Sequence, residues 1–260
     1  MPLVSLLTDF GVLDTYVGQM KAAILGVAPT ALLVDLTHAV PAQDVLAGAF
    51  LLWTAVEAFP RGSLHLAVVD PGVGSSRCAV AVRSRRGDLL VGPDNGLLLP
   101  AVEQLGGLDA AVELTEEAYW GPRRSRTFHG RDVFAPVVGH LAAGVPLEKV
   151  GRPVERLQAP FRLPPPAEED GQLVGEVLHV DTYGNLITNL PGAQLPARSR
   201  VRVGLTVVEG APHPHYQAVA PGELLALVGS AGLLEISARD GSAASVLGAE
   251  RGERVHIEPE

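Results

Sequence analysis

Apolar runs of strand length alternate with amphipathic stretches through the first half of the chain. Residues 3–7, 31–36 and 64–69 are such runs, and between the first two, residues 15–27 place Val17, Met20, Ile24 and Val27 at helical spacing. Residues 41–59 form a long apolar stretch with Pro41 near its start, which predicts a second helix. A βαβαβ series of this kind predicts a parallel sheet with helices on its faces. Residues 78–82 and 88–91 then predict a strand pair joined by a basic, Gly-containing turn at 84–87. A helix is predicted over 97–105, a strand over 110–114 and an apolar helix over 133–143.

The helical pattern stops beyond residue 170. Residues 175–180, 186–188, 201–208, 224–228, 233–236 and 254–257 are short strand-like runs at regular spacing, predicting a small antiparallel barrel or sandwich. Between the halves, Pro160, Pro164-Pro165-Pro166 and Glu168-Glu169-Asp170 have linker composition, stiffened by proline. The expected organisation is an α/β domain with a central, mostly parallel sheet over 1–160, a Pro-rich linker over 161–170 and a small all-β barrel domain over 171–260.

Composition narrows the partners. A hydrophobic content of 47% with 19% charged residues is globular, and a net charge of -9 argues against binding the nucleic-acid backbone. Arg83, Arg85 and Arg86 read as a solvated hairpin turn. The single cysteine, Cys78, excludes an internal disulfide and reads as a small buried side chain rather than a nucleophile. The start of the chain lacks a signal-peptide pattern and no apolar run reaches membrane-span length, so a soluble cytoplasmic protein with no membrane partner is expected.

The polar groups concentrate on turns. Asp70 follows the run 64–69, at a strand's carboxyl end, where open α/β sheets bind ligands. Pro71, Gly72 and Gly74 allow the chain to fold back and bring Arg77 to Asp70, as a surface ion pair or as a fixed charged pair in a site. Asp9 also ends a strand, and Asp94-Asn95 lie in another turn. Residues 119–132 form a polar and aromatic loop before a helix, a common place for chemistry, with His129 its strongest candidate, while Arg131 and Asp132 read first as a capping, charge-paired loop. In the second half, Asp181, Tyr183, Asn185 and Asn189 surround Gly184: a hairpin tip, or an aromatic and amide set able to recognise a base or an amino acid. Gly229-Ser230-Ala231-Gly232 is a plain turn or a ligand clamp. His213-Pro214-His215 lacks metal-ligand spacing, and neither a phosphate-binding Gly-rich loop nor a G-x-S-x-G elbow occurs.

Taken together, Thr8-Asp9-Phe10-Gly11, Val69-Asp70-Pro71-Gly72-Val73-Gly74 with Arg77, Gly92-Pro93-Asp94-Asn95-Gly96, Thr127-Phe128-His129-Gly130-Arg131-Asp132 and Gly184-Asn185-Leu186-Ile187-Thr188-Asn189 closely resemble the S-adenosylmethionine hydroxide adenosyltransferase family, relatives of the fluorinases and chlorinases. The resemblance runs in order over nearly the whole chain. It implies an α/β domain and a smaller β-barrel domain, a homotrimer with sites at subunit interfaces, no metal or cofactor, and S-adenosyl-L-methionine as substrate. It implies that Asp70, Arg77 and His129 activate a water for attack on ribose C5′, and that Asp9 binds the ribose hydroxyls. Asp181 and Ser230 would then hold the methionine ends, with Tyr183 and Asn185 around adenine. Where the halogenases carry a serine hydroxyl after the Thr-Phe motif, this chain has Gly130, which favours water over halide. The stretch 236–242 departs from the family pattern at Arg239. Halide transfer, or binding of adenosine or its sulfonium without turnover, are the rival readings.

Overall fold

A computed structural model describes residues 1–158 and 164–259. The chain forms two compact units, Met1–Arg162 and Leu163–Glu260.

In the first unit the strands are β1 (Leu3–Thr8), β2 (Leu32–Thr37), β3 (Leu64–Val68), β4 (Ala79–Ser84), β5 (Leu89–Pro93), β6 (Leu108–Glu113) and β7 (Arg152–Pro153), in the sheet order β2-β1-β3-β5-β4-β6-β7. The pairings β1–β2, β1–β3 and β3–β5 are parallel, whereas β4–β5, β4–β6 and β6–β7 are antiparallel. The sheet is therefore mixed, not mostly parallel. The reason is local: Gly87 (φ 95°) closes a tight turn with its N–H on the Ser84 carbonyl, and a hairpin this short can join only antiparallel strands.

Side chains alternate between the sheet's two faces with period two. Leu6, Leu66 and Val68 enter one core with Ile24 and Phe134, while Leu7, Ala67 and Val69 enter the other with Leu52 and Leu97. Helices α1 (Tyr16–Val27) and α4 (Ala135–Ala142) pack together, as do α2 (Val45–Val56) and α3 (Leu99–Gln104). Helix α2 is shorter than its apolar pattern, because Asp44 caps it by accepting from the Ala47 N–H at 3.0 Å and residues 41–44 form a turn instead. The helix expected over 133–143 begins as one π-turn, Gly130–Phe134, in which the Ala135 N–H reaches the Gly130 carbonyl. Pro136 has no N–H for the Asp132 carbonyl, which accepts from Gly121 instead at 2.8 Å.

In the second unit every pairing between named strands is antiparallel: β8 (Ala167–Glu169), β9 (Gln172–Val180), β10 (Leu186–Pro191), β11 (Ser199–Val203), β12 (Thr206–Ala211), β13 (Leu224–Val228), β14 (Leu233–Ala238) and β15 (Arg254–Pro259). The order β12-β11-β15-β9-β10-β14-β13, with β8 beside β9, nearly closes on itself, and the His213 N–H meets the Ala226 carbonyl at 2.7 Å across the gap. Leu186, Leu190, Val201, Ile236 and Val255 fill the interior. Two expectations change. Residues 201–208 are not one strand, since the chain reverses at Gly204 (φ 56°) between β11 and β12. A short helix, α5 (Ala243–Leu247), also occurs here, capped by Ser242 Oγ and ended by Gly248 (φ 62°). Of the Pro-rich stretch expected over 161–170, residues 161–163 lie outside the described residues, and 167–169 run as β8.

Candidate active site

Register decides where the acidic turns meet. Thr8 of β1 pairs with Val68 of the neighbouring parallel strand β3, so Asp9 and Asp70 leave the sheet at the same edge. Beyond Asp70 the chain doubles back: the Val73 N–H bonds the Asp70 carbonyl, and the Ser75 N–H and Oγ both bond the Gly72 carbonyl. Gly74 sits at φ 77°, and a Cβ there would lie 2.4 Å from the Arg126 carbonyl oxygen, so this turn needs glycine twice over. The fold-back delivers Arg77 as a fork onto Asp70, Nε to Oδ1 at 2.8 Å and Nη2 to Oδ2. The guanidinium also lies 5.2 Å from the centroid of the Phe134 ring.

His129 opens the π-turn and brings Nδ1 to 3.2 Å from the same Arg77 Nη2. A guanidinium only donates, so Nδ1 accepts and the proton of the neutral ring sits on Nε2. Burial, and then the Arg77 charge, hold the imidazole below its ordinary pKa, against the opposing pull of Asp70 and Asp132. His129 is thus a neutral base beside a cation. Arg131 and Asp132 take the loop-capping role: Arg131 forks onto Asp132 at 2.6 and 3.0 Å, and Asp132 accepts the Ser125 N–H.

The supporting turns are tied down. Asn95 donates to the Val69 carbonyl at 2.9 Å and accepts from Leu97, fixing the strand end that carries Asp70. Asp94 accepts the Gln158 N–H, and burial raises its pKa against that bond and the Arg77 charge. Behind Asp9, Thr8 Oγ1 accepts from the Phe10 N–H and lies 2.8 Å from His38 Nδ1, while the His38 carbonyl accepts from Gly11. Asp9 Oδ2 itself accepts the Gln43 N–H at 2.8 Å.

A cavity of about 390 Å³ is lined by Asp9, Phe10, Tyr16, Gln43, Asp70 and Val73. A cavity of about 440 Å³ beside α1, lined by Trp120, Arg131 and Asp132 among others, touches none of Asp70, Arg77 and His129. We place the site at the former, which Asp9 and Asp70 both line, with Arg77 held on Asp70 by the fork and His129 on Arg77. Among the described residues no group of three or more His, Cys, Asp or Glu could hold a metal ion. Burial and the nearby Glu113 push the Cys78 thiol up, the wrong direction for a nucleophile.

In the second unit Asp181 organises its own turn. Its carboxylate accepts from the Tyr183 N–H, the Asn185 N–H and Asn185 Nδ2, each at 2.9 Å. Asn185 is buried, and Tyr183, 78% exposed, presents its ring to solvent. Ser230 stands exposed on the turn between β13 and β14. Arg239 donates to the Val219 carbonyl at 2.8 Å. A cluster the sequence did not announce lies nearby: Glu235, buried, accepts from Tyr216 Oη at 2.7 Å and Ser237 Oγ at 2.9 Å. Burial and then Glu235 push the Tyr216 hydroxyl up to about 12, with Asp181 adding to the shift. Gln43 was also hidden, inside an apparent helix start. Its signal is a backbone angle, which no residue pattern carries.

Family models agree with this architecture. That of the SAM hydroxide adenosyltransferase N-terminal domain matches residues 4–151, and that of the C-terminal domain matches residues 175–256. The chain is 45% identical to a protein of Salinispora arenicola named (R)-S-adenosyl-L-methionine hydrolase, over 98% of this chain and 97% of that one. It is 30% identical to a fluorinase of Nocardia brasiliensis over 73% of this chain and 71% of the other. Among solved structures, an uncharacterised conserved protein from Thermotoga maritima superposes with a TM-score of 0.91 at 36% identity, covering 98% of this chain and 99% of that one.

Proposed function

This chain belongs to the SAM hydroxide adenosyltransferase family, and on that premise we propose that Asp70, Arg77 and His129 are the groups with which it hydrolyses S-adenosyl-L-methionine to adenosine and L-methionine. The observation that carries this assignment is the meeting of a carboxylate, a guanidinium and a neutral imidazole from residues 70, 77 and 129 at one edge of the sheet.

The chemistry asks for little else. A sulfonium leaves as a neutral thioether, so no acid is needed at the leaving group. What the reaction lacks in water is an aligned, poorly solvated nucleophile, and alignment alone is worth about 7–11 kcal/mol. A water entering between Arg77 and His129 replaces their direct hydrogen bond: it takes the guanidinium N–H on its oxygen and offers a proton to the Nδ1 lone pair so freed. Asp70 keeps Arg77 in place through the fork and accepts the water's second hydrogen. Attack on C5′ then gives adenosine, methionine and one proton. Asp9 stands beside Asp70 in the same cavity, suited to the ribose hydroxyls. Asp181 and Ser230 are assigned to the ends of the methionine and Tyr183 and Asn185 to adenine. The homotrimer is part of the same proposal, checked by a mass of three chains in light scattering.

Gly130 favours water over halide. A Cβ there would lie 3.2 Å from Met20 Sδ and from the Phe128 ring, and 3.4 Å from the Phe10 ring, leaving little room for a halide-holding side chain. Chromatography after incubation with the sulfonium, with and without added chloride or fluoride, is expected to give adenosine and methionine in all cases. A 5′-halogenated nucleoside would assign the chain to halide transfer, and a stoichiometric complex with no turnover would make it a binding module.

The lowered His129 pKa gives a pH prediction. The base works as the neutral ring, so the rate falls as pH drops through the folded-state pKa, which lies below the ordinary 6.5. The acid limb of kcat/KM is therefore expected below pH 6.5. A limb at or above that value in a profile of the parent enzyme would contradict the role given to His129.

A further inference from the structure

Gln43 holds a conformation that its residue type disfavours. Its φ is 65°, in the left-handed region, where glycine and asparagine are at ease and a longer side chain is strained. The turn explains the angle: the Asp44 N–H bonds the Pro41 carbonyl, which puts Gln43 at the third position of a four-residue turn leading into the cap of α2. The turn does not explain the glutamine, because glycine would serve that backbone better.

Two features show what the side chain adds. The strained backbone aims the Gln43 N–H at Asp9 Oδ2, occupying one carboxylate oxygen and leaving Oδ1 for a ligand. Gln43 is exposed, its carboxamide forms no hydrogen bond among the described residues, and the residue lines the cavity that Asp9 and Asp70 share. A residue bonded through its backbone to the carboxylate given to the ribose diol thus also carries an uncommitted donor and acceptor pair.

We propose that Gln43 is a substrate-binding residue of the nucleoside pocket, its carboxamide hydrogen-bonding the polar edge of the sugar while its backbone N–H orients Asp9. The proposal rests on the hydrolase reading above. It places part of the selection for a polyhydroxylated nucleoside at the start of α2, outside the Asp70, Arg77 and His129 set.

Glycine and alanine at position 43 both keep the N–H on Asp9 and both lose the carboxamide. Glycine removes the strain, so Gln43→Gly is expected to have a Tm no lower than the parent, and Gln43→Ala keeps a Cβ at positive φ. Both variants are expected to raise KM by about tenfold, the worth of one hydrogen bond to a polar ligand, with kcat within threefold of the parent. Calorimetry with adenosine as the probe should show the same weakening. A KM and an adenosine Kd within twofold of the parent in Gln43→Gly would reduce Gln43 to a turn residue, as would a loss that tracks a fall in Tm. If the parent itself produces no adenosine, the hydrolase reading fails, and adenosine binding by the parent and by Gln43→Gly still decides this inference.

Discussion

Replacing His129 with alanine is expected to lower kcat for S-adenosyl-L-methionine hydrolysis by about 10²–10⁴-fold, the usual worth of a positioned general base. The fold should survive. The ring is only partly buried, and its one hydrogen bond among the described residues is the 3.2 Å contact to Arg77, which keeps its fork on Asp70 without it. KM should change little, since the imidazole serves the water and not the substrate. Initial rates of the variant, with its Tm as control, check this. A variant within tenfold of the parent would remove His129 from the chemistry.

The Arg77→Ala change should cost both rate and stability. Asp70 and Arg77 have side-chain exposures of 5% and 11%, so losing the cation leaves a mostly buried carboxylate unpaired, a defect worth about 3 kcal/mol where breaking a buried pair has been measured. The rate should fall further than for His129→Ala, because the guanidinium holds the water, anchors Asp70 and sets which nitrogen of His129 accepts. Arg77→Lys separates the two effects. A lysine restores the charge, and with it part of the stability, but a single ammonium cannot fork onto Asp70 and also reach Nδ1, so the rate should stay low. Urea titrations of the two variants alongside their turnover numbers test this. A fully active Arg77→Lys enzyme would show that charge alone suffices.

Much of the architecture was legible because burial leaves a periodic record. The strands at 3–7 and 64–69 and the helix over 15–27 announced themselves through residues that had to face one of two cores, Leu6 and Leu66 to one side and Leu7 and Ala67 to the other. The sheet's direction was less visible. An apolar run does not say whether its neighbour is parallel, and the hairpin at Gly87 set β4 antiparallel to both β5 and β6. The reversal at Gly204 was masked by the continuous apolar character of 201–208, and the late start of α2 by an apolar stretch that outran its cap at Asp44.

The site divided along similar lines. Asp70 and Arg77 were readable as a pair because proline and glycine between them force the chain back on itself. His129 could be singled out as a polar residue in a loop, but its meeting with Arg77 spans 52 positions and depends on the 71–77 turn packing on the backbone of Arg126. Asp181 shows how one residue satisfies two readings, since it holds its hairpin turn with three hydrogen bonds and still carries the charge assigned to the methionine end. Gln43 and Glu235 were silent in the sequence, because a backbone angle and a burial depth are properties of the folded chain.

The central claim is that Asp70, Arg77 and His129 hold one water whose oxygen is delivered to ribose C5′. Mass spectrometry of the products formed in water enriched in oxygen-18 tests it most directly. The expected result is adenosine carrying one heavy oxygen, at the 5′ position, and methionine carrying none. Unlabelled adenosine, or label in the methionine, would contradict the assignment.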